Sequence, residues 1–283
     1  MNLSRRKILS MLAGGGAMVA FGDGFFVEPH LLDVTEHVIP NRSSSENTIA
    51  SVAQITDLHL RTYGQHEQDL IAELFRLNPD ILLFTGDIID DYKNMDILEN
   101  FLWDLPDTPL KFAIPGNWEH EGGVDFTKLR SLYRQTGINF LVNESITGEI
   151  HGKQYLITGV DDYVESTPDL RTALNRASPS QNHLLLAHCP GYRDEVNALI
   201  DSVDHPWIDD YRFQGMFSGH THGGQVTIFG FAPILPRGTH GYTAGWYRDG
   251  GIPLYVSRGI ASTGIPVRFM CPPELATFRW QLV

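Results

Sequence analysis

Five short polar clusters in this chain of 283 residues each follow directly on an apolar run. They are Asp57-Leu58-His59, Gly86-Asp87 with Asp90, Gly116-Asn117, the lone His188, and Gly219-His220-Thr221-His222. A short apolar run that ends in this way is typical of a buried strand, with the polar residues at its carboxyl end. Open α/β sheets bind ligands outside the carboxyl ends of their strands. The pattern therefore predicts five strands of one sheet that bring these side chains to one place.

The rest of the apolar pattern predicts an α/β fold whose first half alternates strand and helix. Helical spacing of apolar residues occurs around residues 70–75, 96–103 and 126–133. The second half is mostly short strands with Gly- and Pro-rich turns. The predicted strands cover residues 51–55, 81–85, 110–114, 155–160, 183–187, 216–218, 225–229, 253–257 and 276–282. With no internal repeat or linker, residues 28–283 are predicted to form a single domain.

The residue types in the five clusters favour binding of divalent metal ions. Asp and Asn offer hard oxygen ligands, and neutral His offers an imidazole nitrogen. In the pairs Asp57/His59 and His220/His222, a spacing of two residues directs both side chains to one side of an extended segment. Asp87 follows a glycine that permits a tight turn, which suits a carboxylate bridging two cations. Two cations about 3.5–4 Å apart acidify a shared water and clamp an in-line displacement at phosphorus.

At these residues the chain resembles the calcineurin-like metallophosphoesterase family, and most of all its bacterial exported or membrane-associated phosphodiesterase branch. The family order is Asp-x-His, Gly-Asp-x-x-Asp, Gly-Asn-His-Asp/Glu, a lone His and Gly-His-x-His, and the resemblance spans residues 28–283. It implies a four-layer α/β sandwich of two mixed sheets with helices outside. It also implies two metal sites, one formed by Asp57, His59, Asp87 and His222 and the other by Asp87, Asn117, His188 and His220. Manganese, iron and zinc all suit this mixed ligand set.

One position departs from the family pattern. The family has His directly after the Asn, whereas this chain has Trp118 there, followed by Glu119 and His120. The family assigns that His to transition-state stabilisation or to protonation of the leaving group, and an indole N–H can only donate a hydrogen bond. His120 is a candidate substitute acid, or else a loop residue without a role. The predicted catalytic residues are Asp87, Asn117 and His120.

The predicted substrate-binding residues are Arg61, Trp118 and Arg258. An arginine can meet phosphate oxygens with two parallel hydrogen bonds, although each of these arginines could instead form an ordinary surface ion pair. Aromatic residues in the second half either line a substrate cleft or pack on a sheet face. They are Tyr211, Phe229, Phe231, Tyr242, Trp246 and Tyr247.

The N-terminal sequence predicts export. Arg5-Arg6 precedes an apolar, Gly-rich stretch from Met11 to Phe26, as in a twin-arginine signal, so residues 1–27 are predicted to be a signal or an uncleaved tether. This predicts a periplasmic or other extracytoplasmic protein whose partners are the export machinery and, through a tether, lipid or membrane. The net charge of −13 argues against a nucleic-acid polymer as partner. Cys189 and Cys271 are expected to be buried free thiols rather than a disulfide.

The predicted activity is hydrolysis of a phosphodiester or pyrophosphate bond by a metal-activated water. Metal ligands alone do not separate this from a phosphomonoesterase, or from a pyrophosphatase acting on a nucleotide-linked lipid precursor. A different class, a non-catalytic metal-binding interaction module, is disfavoured by the full ligand set and mildly favoured by Trp118.

Overall fold

Apolar segments of the chain form two six-stranded sheets in the computed structural model, which describes residues 22–40, 48–108 and 110–283. The strands are β1 (Asp33–Ile39), β2 (Thr48–Ile55), β3 (Ile81–Thr85), β4 (Leu110–Ile114), β5 (Ile138–Phe140), β6 (Glu144–Ile150), β7 (Lys153–Gly159), β8 (His183–Leu186), β9 (Gly215–Ser218), β10 (Gly245–Tyr247), β11 (Leu254–Val256) and β12 (Glu274–Leu282). The first sheet has the order β1-β12-β2-β3-β4-β5, and the second has the order β10-β11-β9-β8-β7-β6. Both sheets are mixed, since β12 runs antiparallel to β2, and β6 and β10 run antiparallel to their neighbours.

Helices cover the outer faces of the two sheets. The helices are α1 (Gln65–Leu77), α2 (Met95–Trp103), α3 (Asn117–Glu121), α4 (Phe126–Gln135), α5 (Leu170–Leu174) and α6 (Tyr192–Asp201), and all of them except the short α3 pack on a sheet. Helix α1 ends where Asn78 adopts a left-handed conformation, which Asn tolerates better than most residues, and Pro79 follows it. Leu70 and Leu74 of this helix are fully buried. Phe75, predicted on the same apolar face, is exposed, because it lies outside the stripe that faces the sheet.

The strands bury both of their faces, which produces four layers. Along β3, Ile81 and Leu83 point between the sheets, and Leu82 and Phe84 point toward the helices. The core between the sheets includes Trp280, which has no exposed surface. The predicted four-layer α/β sandwich of two mixed sheets is confirmed.

Two sequence predictions about strands were wrong. Residues 225–229 form a loop instead of a strand, because Gln225 and Phe229 have positive φ and the backbone cannot stay extended. The strands that end in polar clusters belong to two sheets and not to one, since β2, β3 and β4 lie in the first sheet and β8 and β9 in the second. Strands β1, β5, β6 and β10 were not identified from the sequence.

The predicted signal or tether lies mostly outside the described residues, as does the polar loop at residues 41–47. Of the segment 1–27, residues 22–27 are described, and the Gly24 carbonyl accepts a hydrogen bond from the Arg268 backbone N–H at 2.9 Å. Within the described part of the chain, no helix is both long enough and apolar enough to span a bilayer. Cys189 and Cys271 are buried free thiols, as predicted.

Candidate metal centre

Strand ends of both sheets meet at one rim of the sandwich. Asp57 and His59 follow β2, Asp87 follows β3, and Asn117 begins helix α3 directly after β4. From the second sheet, His188 follows β8, and His220 and His222 follow β9. All seven predicted metal ligands are buried. The seven predicted ligands are therefore brought together by strand ends of both sheets, and not by those of one sheet alone.

Six of these side chains form two groups, each with potential ligand atoms within 4.8 Å of one another. In the first, His59 Nε2 lies 3.3 Å from His222 Nε2, which lies 3.4 Å from Asp57 Oδ1. The second contains Asp87, His188 and His220. We call these groups the first and second clusters. The donor types and their distances suit divalent cations bound by nitrogen and oxygen.

Asn117 joins the second cluster, and Asp87 lies between the two. The Asn117 Oδ1 atom lies 2.9 Å from His220 Nδ1. Asp87 Oδ2 lies 3.0 Å from His188 Nε2 and 3.8 Å from His59 Nε2, so one carboxylate oxygen approaches an imidazole of each cluster. The Trp118 backbone N–H donates to the other oxygen, Asp87 Oδ1, at 2.8 Å. Within the part of the chain that the structure describes, Asp87 thus links the two clusters.

Backbone carbonyls fix the orientation of three imidazoles. His188 Nδ1 donates to Thr85 O at 2.7 Å, His220 Nε2 to Arg237 O at 2.7 Å, and His222 Nδ1 to Ala261 O at 3.0 Å. In a neutral imidazole the other nitrogen then carries a lone pair, and here it faces the cluster. Metal-binding histidines commonly use their second nitrogen in this way.

In both clusters, two hydrogen-bond acceptor atoms consequently face each other with no hydrogen between them. In the second cluster, Asn117 Nδ2 donates to Glu121, which leaves its Oδ1 as an acceptor facing the acceptor nitrogen of His220. In the first cluster, the acceptor nitrogen of His222 faces the carboxylate of Asp57. Two buried acceptors repel unless a cation lies between them. The residues present therefore fit divalent metal ions.

Five of the seven predicted ligands have a left-handed backbone. The φ angles are 53° at Asp57, 46° at His59, 54° at Asp87, 71° at His220 and 51° at His222. Such conformations are uncommon outside glycine and cost roughly 1–3 kcal/mol each. Two of these residues, Asp57 and Asp87, are also packed tightly against glycines. A Cβ at Gly116 would overlap the Asp87 carboxylate, and one at Gly219 would overlap Asp57.

Glu119 supports Asp87 and was given no role from the sequence. This fully buried carboxylate accepts the backbone N–H groups of Asp87, Ile88, Ile89 and Gly116 at 2.7–3.3 Å. It therefore fixes the turn after β3 against the start of α3. An acidic residue at the third position of a helix that follows a glycine is the available sequence signal, since it caps the helix.

Arg268 is a second supporting residue that the sequence did not reveal. Its guanidinium is fully buried and donates to the backbone carbonyls of Arg258, Gly259, Ala261 and Cys271. The Ala261 carbonyl also accepts from His222, so Arg268 helps to orient this predicted ligand. No sequence motif marked it, because the carbonyls that it binds are backbone groups.

Burial sets the protonation of the metal-free centre. It lowers the pKa of His59 and His222, and it lowers the pKa of His220 to about 4, so these imidazoles are neutral near pH 7. Burial also raises the pKa of Asp87 to about 7. Although burial alone would lower the pKa of His188, the Asp87 carboxylate raises it. Asp87 and His188 therefore share a proton that they would release on binding a cation.

The predicted substrate residues lie in different settings. Trp118 is half-buried, with its ring 5.7 Å from that of His59. The exposed Arg61 donates to Asp90 through Nε at 2.6 Å, and so the last Asp of the Gly-Asp-x-x-Asp motif is held by this arginine. Arg258 forms ion pairs with Asp33 of β1 at 2.7 Å and with Glu274 of β12 at 3.3 Å, rather than with a residue of either cluster. Their roles toward substrate stay predictions.

The structure places His120 on Asp161 and in neither cluster. The His120 Nε2 atom lies 2.7 Å from Asp161 Oδ1, and its ring packs on Phe126. The hydrogen bond to Asp161 raises the pKa of His120, and burial partly opposes the rise. That His120 protonates the leaving group stays a prediction.

We expect the coupling between His120 and Asp161 to stabilise the fold while His120 is protonated. Because the folded-state pKa of His120 is raised above 6.5, this stabilisation is fully present below pH 6.5 and lost as the pH rises through the folded-state value. A double-mutant cycle of His120→Gln and Asp161→Asn, measured by urea unfolding of metal-free protein, should give about 1 kcal/mol at pH 5.5 and almost nothing at pH 9.5. Equal coupling at both values would contradict the assignment.

Four of the six aromatic residues pack against the protein and two do not. Tyr211 donates to the carbonyls of Leu174 and Ala177. Tyr242 packs on Tyr247, and Trp246 packs on the sheet residues Phe217 and Tyr255. Phe229 and Phe231 project into solvent.

The chain is similar to known phosphoesterases along most of its length. Residues 50–224 match a family model described as calcineurin-like phosphoesterase. The chain is 32% identical over 291 residues to uncharacterized metallophosphoesterase YkuE of Bacillus subtilis strain 168, with 98% of this chain and 97% of that protein covered. It is 28% identical over 272 residues to an uncharacterized metallophosphoesterase of Aquifex aeolicus strain VF5, covering 91% and 95%. It is 26% identical over 288 residues to phosphodiesterase YaeI of Escherichia coli K12, covering 96% and 97%.

Proposed function

Since the chain belongs to the calcineurin-like phosphoesterase family, we propose that it hydrolyses a phosphodiester bond at a centre of two divalent cations. The family resemblance identified from the motifs is confirmed, and with it the enzyme class, a metal-dependent phosphoric ester hydrolase. The number of cations and the kind of ester go beyond family membership and are therefore part of the proposal.

The position of Asp87 carries the proposal of two cations. Its Oδ2 atom lies 3.0 Å from His188 Nε2 in one cluster and 3.8 Å from His59 Nε2 in the other. A carboxylate placed in this way suits a ligand shared by neighbouring cations. We propose that the first cation is held by Asp57, His59, Asp87 and His222, and the second by Asp87, Asn117, His188 and His220.

When bound, the pair of cations supplies a water of lowered pKa and positive charge for the phosphoryl oxygens. The chain's own residues keep the site ready for this. Carbonyl partners hold His188, His220 and His222 in the tautomer that faces the clusters. Glu119 fixes the turn that carries Asp87, and the Trp118 N–H occupies the second oxygen of that carboxylate. The ligands therefore need little rearrangement during the reaction.

The described part of the chain has no obvious proton donor for the leaving group. Trp118 stands where the family has His, and an indole cannot protonate an alkoxide. His120 carries a raised pKa but is hydrogen-bonded to Asp161. We propose that the enzyme favours esters with good leaving groups, or that His120 reaches the leaving oxygen once substrate is bound.

A phosphodiester is the favoured substrate class because the similar Escherichia coli protein is named a phosphodiesterase. Phosphomonoester and pyrophosphate hydrolysis use the same ligands and are separated by assay. We further propose that the protein acts outside the cytoplasm, on the basis of Arg5-Arg6 and the apolar stretch after them.

Removal of metal should abolish hydrolysis reversibly. We expect purified protein to hydrolyse bis(p-nitrophenyl) phosphate, to lose at least about 100-fold in rate after dialysis against a chelator, and to regain the rate with manganese. Metal analysis should give two ions for each chain. A parallel assay with p-nitrophenyl phosphate tests the monoesterase alternative, which a higher kcat/KM on that substrate would favour. A rate that chelation leaves unchanged would contradict the proposed function.

A further inference from the structure

Two loops without a single charged residue lie beside the metal centre. They are residues 225–236 and residues 259–267, which we call the uncharged rim. The loops are joined where Gln225 Nε2 donates to Thr263 O at 3.0 Å and Thr263 N donates to Gln225 Oε1 at 2.8 Å. In a chain with 34 acidic and 21 basic residues, these two loops place no charged side chain of their own beside the centre.

The uncharged rim presents large apolar side chains to solvent. Phe229 is 93% exposed, Ile234 80% and Phe231 70%, and Ile228 and Ile265 are also exposed. Ile228 and Phe231 exchange two backbone hydrogen bonds across a turn formed by Phe229 and Gly230, both with positive φ. Such a turn makes a tight hairpin tip. Phe229 therefore projects from the surface and does not lie over a groove.

The uncharged rim is fixed to the metal centre at both ends of its longer loop. His222 lies three residues before Gln225, and His220 donates to the carbonyl of Arg237, directly after the loop. The shorter loop supplies the Ala261 carbonyl that orients His222. Whatever contacts the rim is thus held next to the predicted catalytic centre.

A third apolar segment adjoins the rim. Thr227 N donates to the carbonyl of Phe269 at 2.9 Å, and the neighbouring Met270 N donates to Glu28 Oε2 at 2.8 Å. Glu28 follows Phe26 and Val27, which are exposed, as is Met270. In the sequence, the uncharged residues 11–22 lead into this segment. Along the chain, the predicted tether therefore leads, past Asp23, to the exposed Phe26 and Val27 beside the rim.

We propose that the uncharged rim docks on the surface of a lipid bilayer and inserts the Phe229 hairpin tip into it. Large exposed apolar patches mark membrane or protein interaction sites, and a projecting tip of aromatic and aliphatic residues suits the headgroup boundary. The absence of charge avoids the cost of moving ions out of water. Because the chain carries a net charge of −13, the attraction is apolar and not electrostatic.

Binding to phosphatidylcholine vesicles tests this proposal in the full chain. Burial of one phenylalanine side chain changes affinity by about tenfold or more, so the double variant Phe229→Glu, Phe231→Glu should bind about 100-fold more weakly than wild type. Phe75→Glu is the matched control, since Phe75 is an exposed phenylalanine on α1 outside the rim. All three proteins carry the same N-terminus, so a difference between them reports the rim alone.

Two further measurements sharpen the test. Fluorescence of Phe229→Trp should be quenched by brominated lipids, and that of Phe75→Trp should not. Replacing part of the phosphatidylcholine with phosphatidylglycerol should weaken binding, because lipid and protein are then both negative. Circular dichroism checks that the double variant is folded, as expected for two exposed positions.

Two results would overturn the proposal. One is equal vesicle affinity of the wild type and the double variant. The other is a wild type that ignores vesicles but self-associates in solution, with the double variant monomeric, which would make the rim an interface between protein chains. The inference goes beyond the proposed function, and vesicle binding is measured without substrate, so either one can fail alone.

Discussion

We expect Asp87→Asn to lower the rate of bis(p-nitrophenyl) phosphate hydrolysis by about 1,000-fold or more. The Asp87 carboxylate approaches an imidazole of each cluster, and an amide at this position offers one weak oxygen ligand and no negative charge. Both proposed cations would lose a ligand in one substitution. A loss of this size corresponds to about 4 kcal/mol of transition-state stabilisation. Steady-state rates with manganese, together with the metal content of each protein, provide the measurement.

Asp96→Asn is the control for this substitution. Asp96 is an exposed carboxylate in the first turn of α2, so the same chemical change there should leave rate and metal content within about twofold of wild type. If Asp87→Asn kept wild-type turnover with two bound cations, Asp87 would not be the shared ligand. Loss of turnover with both cations retained would instead give Asp87 a role in the chemistry rather than in metal binding.

We expect Glu119→Ala to destabilise the protein by about 3–5 kcal/mol. The substitution leaves the buried backbone N–H groups of Asp87, Ile88, Ile89 and Gly116 without their acceptor, and each unpaired buried group costs roughly 1–3 kcal/mol before relaxation. Urea unfolding of metal-free protein measures the change without a contribution from bound cations. Hydrolysis should fall as well, because the turn that carries Asp87 loses its support.

A matched surface position separates this effect from a general loss of helix charge. Glu99 is exposed on α2, and Glu99→Ala should change stability by no more than about 0.5 kcal/mol. Glu119→Gln keeps one acceptor oxygen, and so we expect an intermediate loss. If Glu119→Ala were as mild as Glu99→Ala, water would have to replace the carboxylate as acceptor for the four N–H groups.

The sequence predicted the candidate ligands because each one directly follows an apolar run. It could not say which sheet each run joins, since a strand end looks the same in either sheet. β1 illustrates this, because it pairs with β12 some 240 positions away, as in the register of Asp33 with Glu274. Local sequence contains no trace of such a pairing.

Residues that act through the backbone were also beyond the sequence. Glu119 and Arg268 bind peptide groups, which every residue possesses, so their partners leave no motif. The predicted strand at residues 225–229 failed for a related reason. Its uncharged, apolar composition fits a strand, but in the structure the same composition belongs to a solvent-facing hairpin tip.

The left-handed backbone at five predicted ligands lowers the stability of the fold at the positions where activity is expected to depend on the side chain. These residues are Asp57, His59, Asp87, His220 and His222. Glycine at any of these positions would relieve the local strain while removing a side chain that the proposed reaction uses. Selection for thermal stability alone, without selection for hydrolysis, would therefore enrich variants that are more stable but inactive. Homologues that are no longer selected for catalysis should likewise substitute these five residues while they keep the fold.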